Sequence, residues 1–216
     1  HDGLAAGSDA ISGNAGDDIV FGDHGVIHQA AGTLRLLTTG QVTRISTVEP
    51  GNGQADVIEG NDGHDRLLGG LGGDTISGNA GNDIVLGDHG VIDSVALDGN
   101  LATVDLVSTN NPDDGGGNDT LHGDAGDDRV LGGGGDDVIT GGTGNDVLLG
   151  DHGVLGHAGG SLVAGQAEQG DTGGADTITA GEGNDLVLGG AKGDLLSGEA
   201  GHDVLLGDHG HIDLAA

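Results

Sequence analysis

An all-β solenoid, with short parallel strands stacked coil upon coil, is the fold class this sequence predicts. Three observations lead to it. Glycine supplies 51 of the 216 residues, far above the average usage of ~7%. Large core-building side chains are nearly absent: Phe21 stands alone, with no Trp, Tyr or Met. A nine-residue pattern then holds Asp and an aliphatic residue in phase along the chain. Order must therefore come from repetition rather than from a conventional packed core.

Charge narrows the function classes. Asp plus Glu number 36 against 5 Lys plus Arg, a formal net charge of -31. Such a chain repels nucleic acid and anionic lipid, so no nucleic-acid partner is expected. It contains no run of ~20 apolar residues, so no transmembrane segment is expected either. There is no Cys, hence no disulfide framework and no thiolate metal site. High charge alone favours disorder, but 34% of the residues are apolar and they are regularly spaced. Counter-cations are the missing ingredient.

The repeat has two periods. GNAGDDIVF at 13–21 recurs as GNAGNDIVL at 78–86, GGTGNDVLL at 141–149 and GEAGHDVLL at 198–206, each followed by GDHG. Within these blocks lies the nonapeptide G-x-x-G-x-D-x-U-x, where U is aliphatic. Fourteen units start at residues 4, 13, 51, 60, 69, 78, 114, 123, 132, 141, 171, 180, 189 and 198. The sixth position is Asp and the eighth Ile, Val or Leu in all fourteen. The fourth is Gly in twelve, with Gln54 and Lys192 as exceptions. One continuous array over 1–216 results, with repeat blocks 4–27, 51–92, 114–155 and 171–212 and inserts 28–50, 93–113 and 156–170.

Each position has a physical role. Gly at positions one and four lets the chain turn tightly and expose its carbonyls. The residues after Asp suit a three-residue strand whose central side chain faces inward. Two units close a coil of about 18 residues, and coils stack at the strand-pairing distance of ~4.8 Å. Two buried aliphatic side chains per coil cannot offset the entropy of ordering it, and stacked Asp residues repel. A hard divalent cation between turns removes that repulsion. Calcium, which takes six to eight carboxylate and carbonyl oxygens, suits the groups that this turn presents.

The units resemble the calcium-binding nonapeptides of repeats-in-toxin (RTX) proteins, the haemolysin-type pattern G-G-x-G-x-D-x-U-x. GGLGGDTIS at 69–77, GGGGDDVIT at 132–140 and GGTGNDVLL at 141–149 match every defined position. The resemblance spans fourteen units of nine, 126 of 216 residues. It implies a right-handed parallel β-roll, a β-solenoid with hairpin-like inserts between blocks. It also implies multiple calcium ions held between turns two units apart, by Asp side chains and Gly-turn carbonyls. The implied ligands are Asp9, Asp18, Asp56, Asp65, Asp74, Asp83, Asp119, Asp128, Asp137, Asp146, Asp176, Asp185, Asp194 and Asp203. The turns at Gln54 and Lys192 depart from the pattern, and Lys192 brings a positive charge to its turn.

GDHG recurs at 22–25, 87–90, 150–153 and 207–210, with an apolar residue (Ile27, Ile92, Leu155, Ile212) where a further unit would place Asp. It reads as a cap turn that closes the ladder and hands the chain to a different segment. A sharper reading makes His24, His89, His152 and His209 transition-metal ligands. With about three coils per block, these lie ~14 Å apart and share no site. Asp23, Asp88, Asp151 and Asp208 are candidates to complete the last calcium site of each block. The first insert (LRLLTT, Gly40-Gln41, VTRISTVE) and the second (SVAL, Asp98-Gly99-Asn100, LATVDLV) read as hairpins covering the roll. The third, richer in Gly and Ala, is the weaker hairpin.

No catalytic constellation emerges, since His, Asp and Ser sit at repeat positions, and a site repeated fourteen times is a ladder; an enzyme is not expected. The expected role is a calcium-binding structural array of a large secreted bacterial protein, an adhesin, matrix, surface-layer or filament component. Folding on calcium binding outside the cell follows, at an extracellular or cell-surface location, with self-association or continuation into a longer array. The alternative is the RTX roll of a type I-exported toxin or hydrolase, assisting secretion and folding of an effector domain. A third reading has the inserts bind a ligand or sugar.

Overall fold

The computed structural model describes residues 6–30, 42–48, 51–96, 100–109, 116–167 and 173–214. Among the described residues all regular structure is β, arranged as three seven-stranded sheets. The first is Ala10–Ala15, Val57–Asp62, Thr75–Ala80, Thr120–Ala125, Val138–Thr143, Thr177–Gly183 and Leu195–Gly201. The second is Ile19–Phe21, Arg66–Leu68, Ile84–Leu86, Arg129–Gly133, Val147–Asp151, Leu186–Gly190 and Val204–Asp208. Both are parallel, and in both the spatial order is the chain order. Each coil passes once through each sheet, so two nonapeptides make a coil and seven coils stack.

Register follows from the inward-facing eighth position. Ile58 stands over Ile76, Ile76 over Leu121, Leu121 over Ile139 and Ile139 over Ile178. In the second sheet Leu67, Val85, Val130, Leu148 and Val187 stack in the same way. These two columns meet to form the interior of the roll. A one-residue slip would turn every one of them outward, which is why the register is so regular.

The third sheet is antiparallel: Gly25–Gln29, Val42–Thr47, Gly90–Asp93, Leu106–Thr109, Gly153–Ala158, Ser161–Ala167 and His211–Asp213. Its strands follow each GDHG or come from the inserts. It covers the outer face of the second parallel sheet, where Leu68, Leu86, Leu131, Leu149 and Leu188 pack against Ile45, Ile92, Val107 and Leu155. Apart from Arg66 and Arg129, the second sheet is therefore largely apolar on both faces, as expected of a parallel sheet covered on both sides. The inserts do cover the roll, and in doing so they build a second core.

Three details differ from the sequence expectation. Each complete block contributes two coils, because GDHG leads into the third sheet instead of opening a third coil. Val42–Thr47 pairs with Gly25–Gln29, the strand just after GDHG; the LRLLTT run lies outside the described residues. Leu106–Thr109 likewise pairs with Gly90–Asp93, while Ser94–Ala96 form bends rather than a strand. The third insert, read as the weakest hairpin, is well formed: Gly153–Ala158 turns back on Ser161–Ala167 through Gly159 and Gly160. Both glycines have positive φ, 59° and 84°, the requirement of a tight two-residue hairpin turn.

The second core has a measurable consequence. Leu131 is fully buried between the second and third sheets, so Leu131→Ala should destabilise the calcium-loaded protein by ~2–5 kcal/mol in denaturant unfolding. Leu195→Ala, at a side chain 67% exposed, should change stability by less than ~0.5 kcal/mol. Equal, small effects would show that the third sheet does not seal the roll.

Candidate metal centre

The sixth-position Asp residues form two ladders, one before the strands of each parallel sheet. Asp9, Asp56, Asp74, Asp119, Asp137, Asp176 and Asp194 make the first; Asp18, Asp65, Asp83, Asp128, Asp146, Asp185 and Asp203 make the second. From the second coil onward, each carboxylate accepts through Oδ1 the backbone N–H of the Asp one coil earlier. In the first ladder Asp74 accepts from Asp56 at 2.7 Å, Asp119 from Asp74 at 2.7 Å and Asp137 from Asp119 at 2.8 Å. In the second, Asp83 accepts from Asp65 at 2.8 Å, Asp128 from Asp83 at 2.7 Å and Asp146 from Asp128 at 2.9 Å. The same step crosses block boundaries and runs on to Asp194 and Asp203. All fourteen ligand candidates are thus brought into register, seven on each ladder.

The other carboxylate oxygen has no such partner. Twelve of the fourteen Oδ2 atoms, those of all but Asp9 and Asp203, are buried without a hydrogen bond. A backbone carbonyl shares the gap that they face. A Cβ placed on Gly69 would stand 2.2 Å from Asp74 Oδ2 and 2.3 Å from the Gly87 carbonyl oxygen. At Gly132 the corresponding atoms are Asp137 Oδ2 at 2.3 Å and the Gly150 carbonyl at 2.1 Å. A side chain at Gly69 or Gly132 would therefore intrude among these oxygens, although the first position is not Gly throughout: Leu4, Asp114, Asp171 and Ala180 also occupy it, and Gly51 has nothing within 4 Å of its Cβ. Among the described residues no three His, Asp or Glu side chains converge on one point. The donors that do converge are hard oxygens, carboxylate plus carbonyl, and that set fits calcium rather than a transition metal.

Other polar groups of the turns serve the stack itself. Fifth-position side chains accept N–H groups in the opposite direction, from the coil that follows: Asp17 from His64 at 3.0 Å, His64 Nδ1 from Asn82 at 2.7 Å, Asn82 from Asp127 at 3.0 Å. The carboxylates of GDHG reach into the next block. Asp88 accepts from Gly117 at 3.2 Å and from Gly134 at 2.6 Å, and Asp151 accepts from Gly174 at 2.7 Å and from Ala191. Asp23 accepts from Leu71 at 2.7 Å. These carboxylates tie turn N–H groups of successive blocks together. The GDHG histidines of neighbouring blocks are two coils, roughly 10 Å, apart, so they share no site. Lys192 adopts φ 67° where every counterpart but Gln54 is Gly, a strained left-handed turn.

Burial without a cation leaves the ladder carboxylates poorly solvated. Desolvation, reinforced by neighbouring Asp charges, pushes Asp74 and Asp176 up to about 7, Asp128 to about 8, Asp119 to about 9 and Asp137 to about 10. Asp83 and Asp146 rise to about 6. An unfolded Asp titrates near ~3.9. A carboxyl raised in the fold contributes stability that is complete below that value and is lost as pH climbs through the folded one. In excess chelator, then, β-structure measured by circular dichroism should be greatest at or below about pH 4 and should fall as pH climbs from there, each carboxyl's loss being complete at its folded value, from about 6 up to about 10. Saturating calcium should reverse the trend, because protons compete with the ion for the same oxygens. Structure that grows with pH in chelator would contradict this.

Comparison with known proteins agrees with the geometry. The family described as RTX calcium-binding nonapeptide repeat (4 copies) matches residues 5–25, 50–85, 113–148, 171–196 and 188–211. No curated protein and no solved structure matches the chain. The matched segments make up more than half of it and contain all fourteen ladder Asp residues, leaving out most of the inserts. A ladder of buried carboxylates facing glycine carbonyls, wound on parallel strands, is what such repeats need in order to bind calcium. The chain belongs to the RTX calcium-binding nonapeptide repeat family.

Proposed function

We propose that this chain works outside the cell as a calcium-assembled structural array, part of a large secreted bacterial protein of the adhesin, matrix, surface-layer or filament kind. The observation that carries the reading is the pair of rows of buried, unpartnered Asp Oδ2 atoms. Without a cation these rows oppose folding at neutral pH; with calcium they become the element that holds coil to coil. Extracellular calcium modules work near ~0.1–1 mM, so the chain stays unfolded in a calcium-poor cytosol and winds up after export. The role is mechanical and ion-binding rather than catalytic.

The third sheet favours a structural array over a roll that merely accompanies an effector domain. Insert strands from every block pair with strands of the next, as Val42–Thr47 does with Gly90–Asp93 and Leu106–Thr109 with Gly153–Ala158. Blocks are thereby bonded along the axis through all three sheets.

A calcium titration tests the proposal. Circular dichroism should change from disordered to β-rich, and calorimetry should count ~6–12 ions, up to one for each inter-coil step of the two ladders. Gly132→Ala, which puts a methyl group among the ligand oxygens, should raise the calcium midpoint ~5- to 100-fold, the range expected of overpacking. Gly193→Ala, with nothing within 4 Å of its Cβ, should leave it unchanged. A β-spectrum indifferent to chelator, or fewer than about four ions, would refute the reading.

A further inference from the structure

A cavity of about 190 Å³ lies between the second parallel sheet and its antiparallel cover. Its floor is formed by the seventh position of three adjacent strands, Arg66, Ile84 and Arg129, which stand side by side in register. The wall comes partly from the turns of the roll, His64, Asp65 and Asn82, and partly from the inserts, Ala102, Thr103 and Val104 of the second and His157 and Gly160 of the third. We infer that this cavity is a binding site for a small carboxylate ligand, about the size of one acidic sugar, held between the Arg66 and Arg129 guanidiniums.

The roll itself does not need arginine there. The same position carries Ile19, Ile84, Val147, Leu186 and Val204 in the other strands of that sheet, and the first four pack against the cover as apolar residues. Two of the five basic residues in the chain are placed on either side of Ile84, although it holds 36 Asp and Glu. Among the described residues, neither makes an ion pair with a carboxylate, whereas Arg44 pairs with Asp93 at 3.8 Å. Arg66 Nη1 is buried with no hydrogen-bond partner. A half-buried guanidinium with an unmet donor is costly unless an anion completes it.

The rest of the cavity defines the ligand. Arg129 is aimed by two bonds, Nε donating to His157 Nε2 at 2.8 Å and Nη1 donating to the Asp127 carbonyl at 3.3 Å. That fixes its planar fork, whose geometry matches a carboxylate. Asp17, Asp127 and Asp128 lie close enough to act on the two arginines electrostatically. Their field tolerates a monoanion better than a dianion such as sulfate. Ile84 and Val104 offer an apolar surface, with Asn82 and Thr103 as polar partners for hydroxyls. The volume equals that of about six waters at ~30 Å³ each, room for one small ring and its carboxylate.

Calcium-saturated full chain titrated with D-glucuronate, acetate, glucose and sulfate, followed by amide chemical shifts, tests the site. Saturable glucuronate binding should move the signals of Thr103, Val104 and His157. Acetate, glucose and sulfate should each bind at least ~10-fold more weakly, since each lacks the ring, the charge or the single charge. Arg66→Gln and Arg129→Gln should weaken glucuronate at least ~10-fold, the loss of a charge-assisted bond. Ala102→Leu, at an exposed position on the rim, should block the cavity without touching either guanidinium, and it decides the matter if an arginine variant fails to fold. Calcium-dependent folding is read separately by circular dichroism, so failure of the ligand site and failure of the calcium array are distinguishable. No saturable glucuronate binding, equal affinity for acetate or sulfate, or unchanged affinity in folded variants would overturn the inference.

Discussion

A carboxylate has two oxygens, and the backbone of this roll provides one N–H for each. That mismatch governs the molecule. Oδ1 of every ladder Asp from the second coil onward is used to bond the coil before it, as in the 2.7 Å contact of Asp119 with the Asp74 N–H. Oδ2, in all of these but Asp203, is left buried without a partner, typically beside a glycine carbonyl. A neutral fold with all donors matched would need no ion. This one requires a cation between its coils or protons on its carboxylates, which makes its stability a property of the surrounding solution.

Repetition then propagates the same solution from coil to coil. In the units that carry Asp, Asn or His at position five, that side chain bonds forward along the chain while the sixth-position acceptor bonds backward, so those turns are held from both sides. GDHG breaks the pattern at regular intervals. Its Asp residues accept turn N–H groups of the following block, and the chain then crosses to the third sheet. The interruption that looks like an end of the ladder acts as a splice. The covering sheet contributes a second apolar layer, which a solenoid of such small side chains could not build from its interior columns alone.

Much of this was legible in the sequence, because phase carries the information. Asp at position six and an aliphatic residue at position eight led to parallel coils, their register and both ladders. Three features escaped because a single template averaged two kinds of unit. Position nine is Ser12, Glu59, Ser77, His122, Thr140, Thr179 and Ser197 in one kind, but Phe21, Leu68, Leu86, Leu131, Leu149, Leu188 and Leu206 in the other. Separating them would have shown a strand apolar on both faces and hence a third layer. Position five of the second kind is always Asp, Asn or His, the acceptor that the forward ladder needs. Gly159-Gly160 between two strand-like runs was a hairpin signal masked by the Gly-rich composition around it. The roles of the GDHG carboxylates could not be read from sequence at all, since their partners lie up to 48 residues away.

The central claim is that calcium occupies the gap shared by the unpartnered Asp Oδ2 atoms and the first-position carbonyls. Anomalous scattering from crystals of the calcium-loaded chain tests it most directly. The account predicts two rows of peaks along the axis, each within ~2.3–2.6 Å of a ladder carboxylate oxygen and of glycine-turn carbonyls. Peaks confined to surface carboxylates, with the Oδ2 atoms of Asp74, Asp119 and Asp137 bonded to protein donors instead, would contradict it.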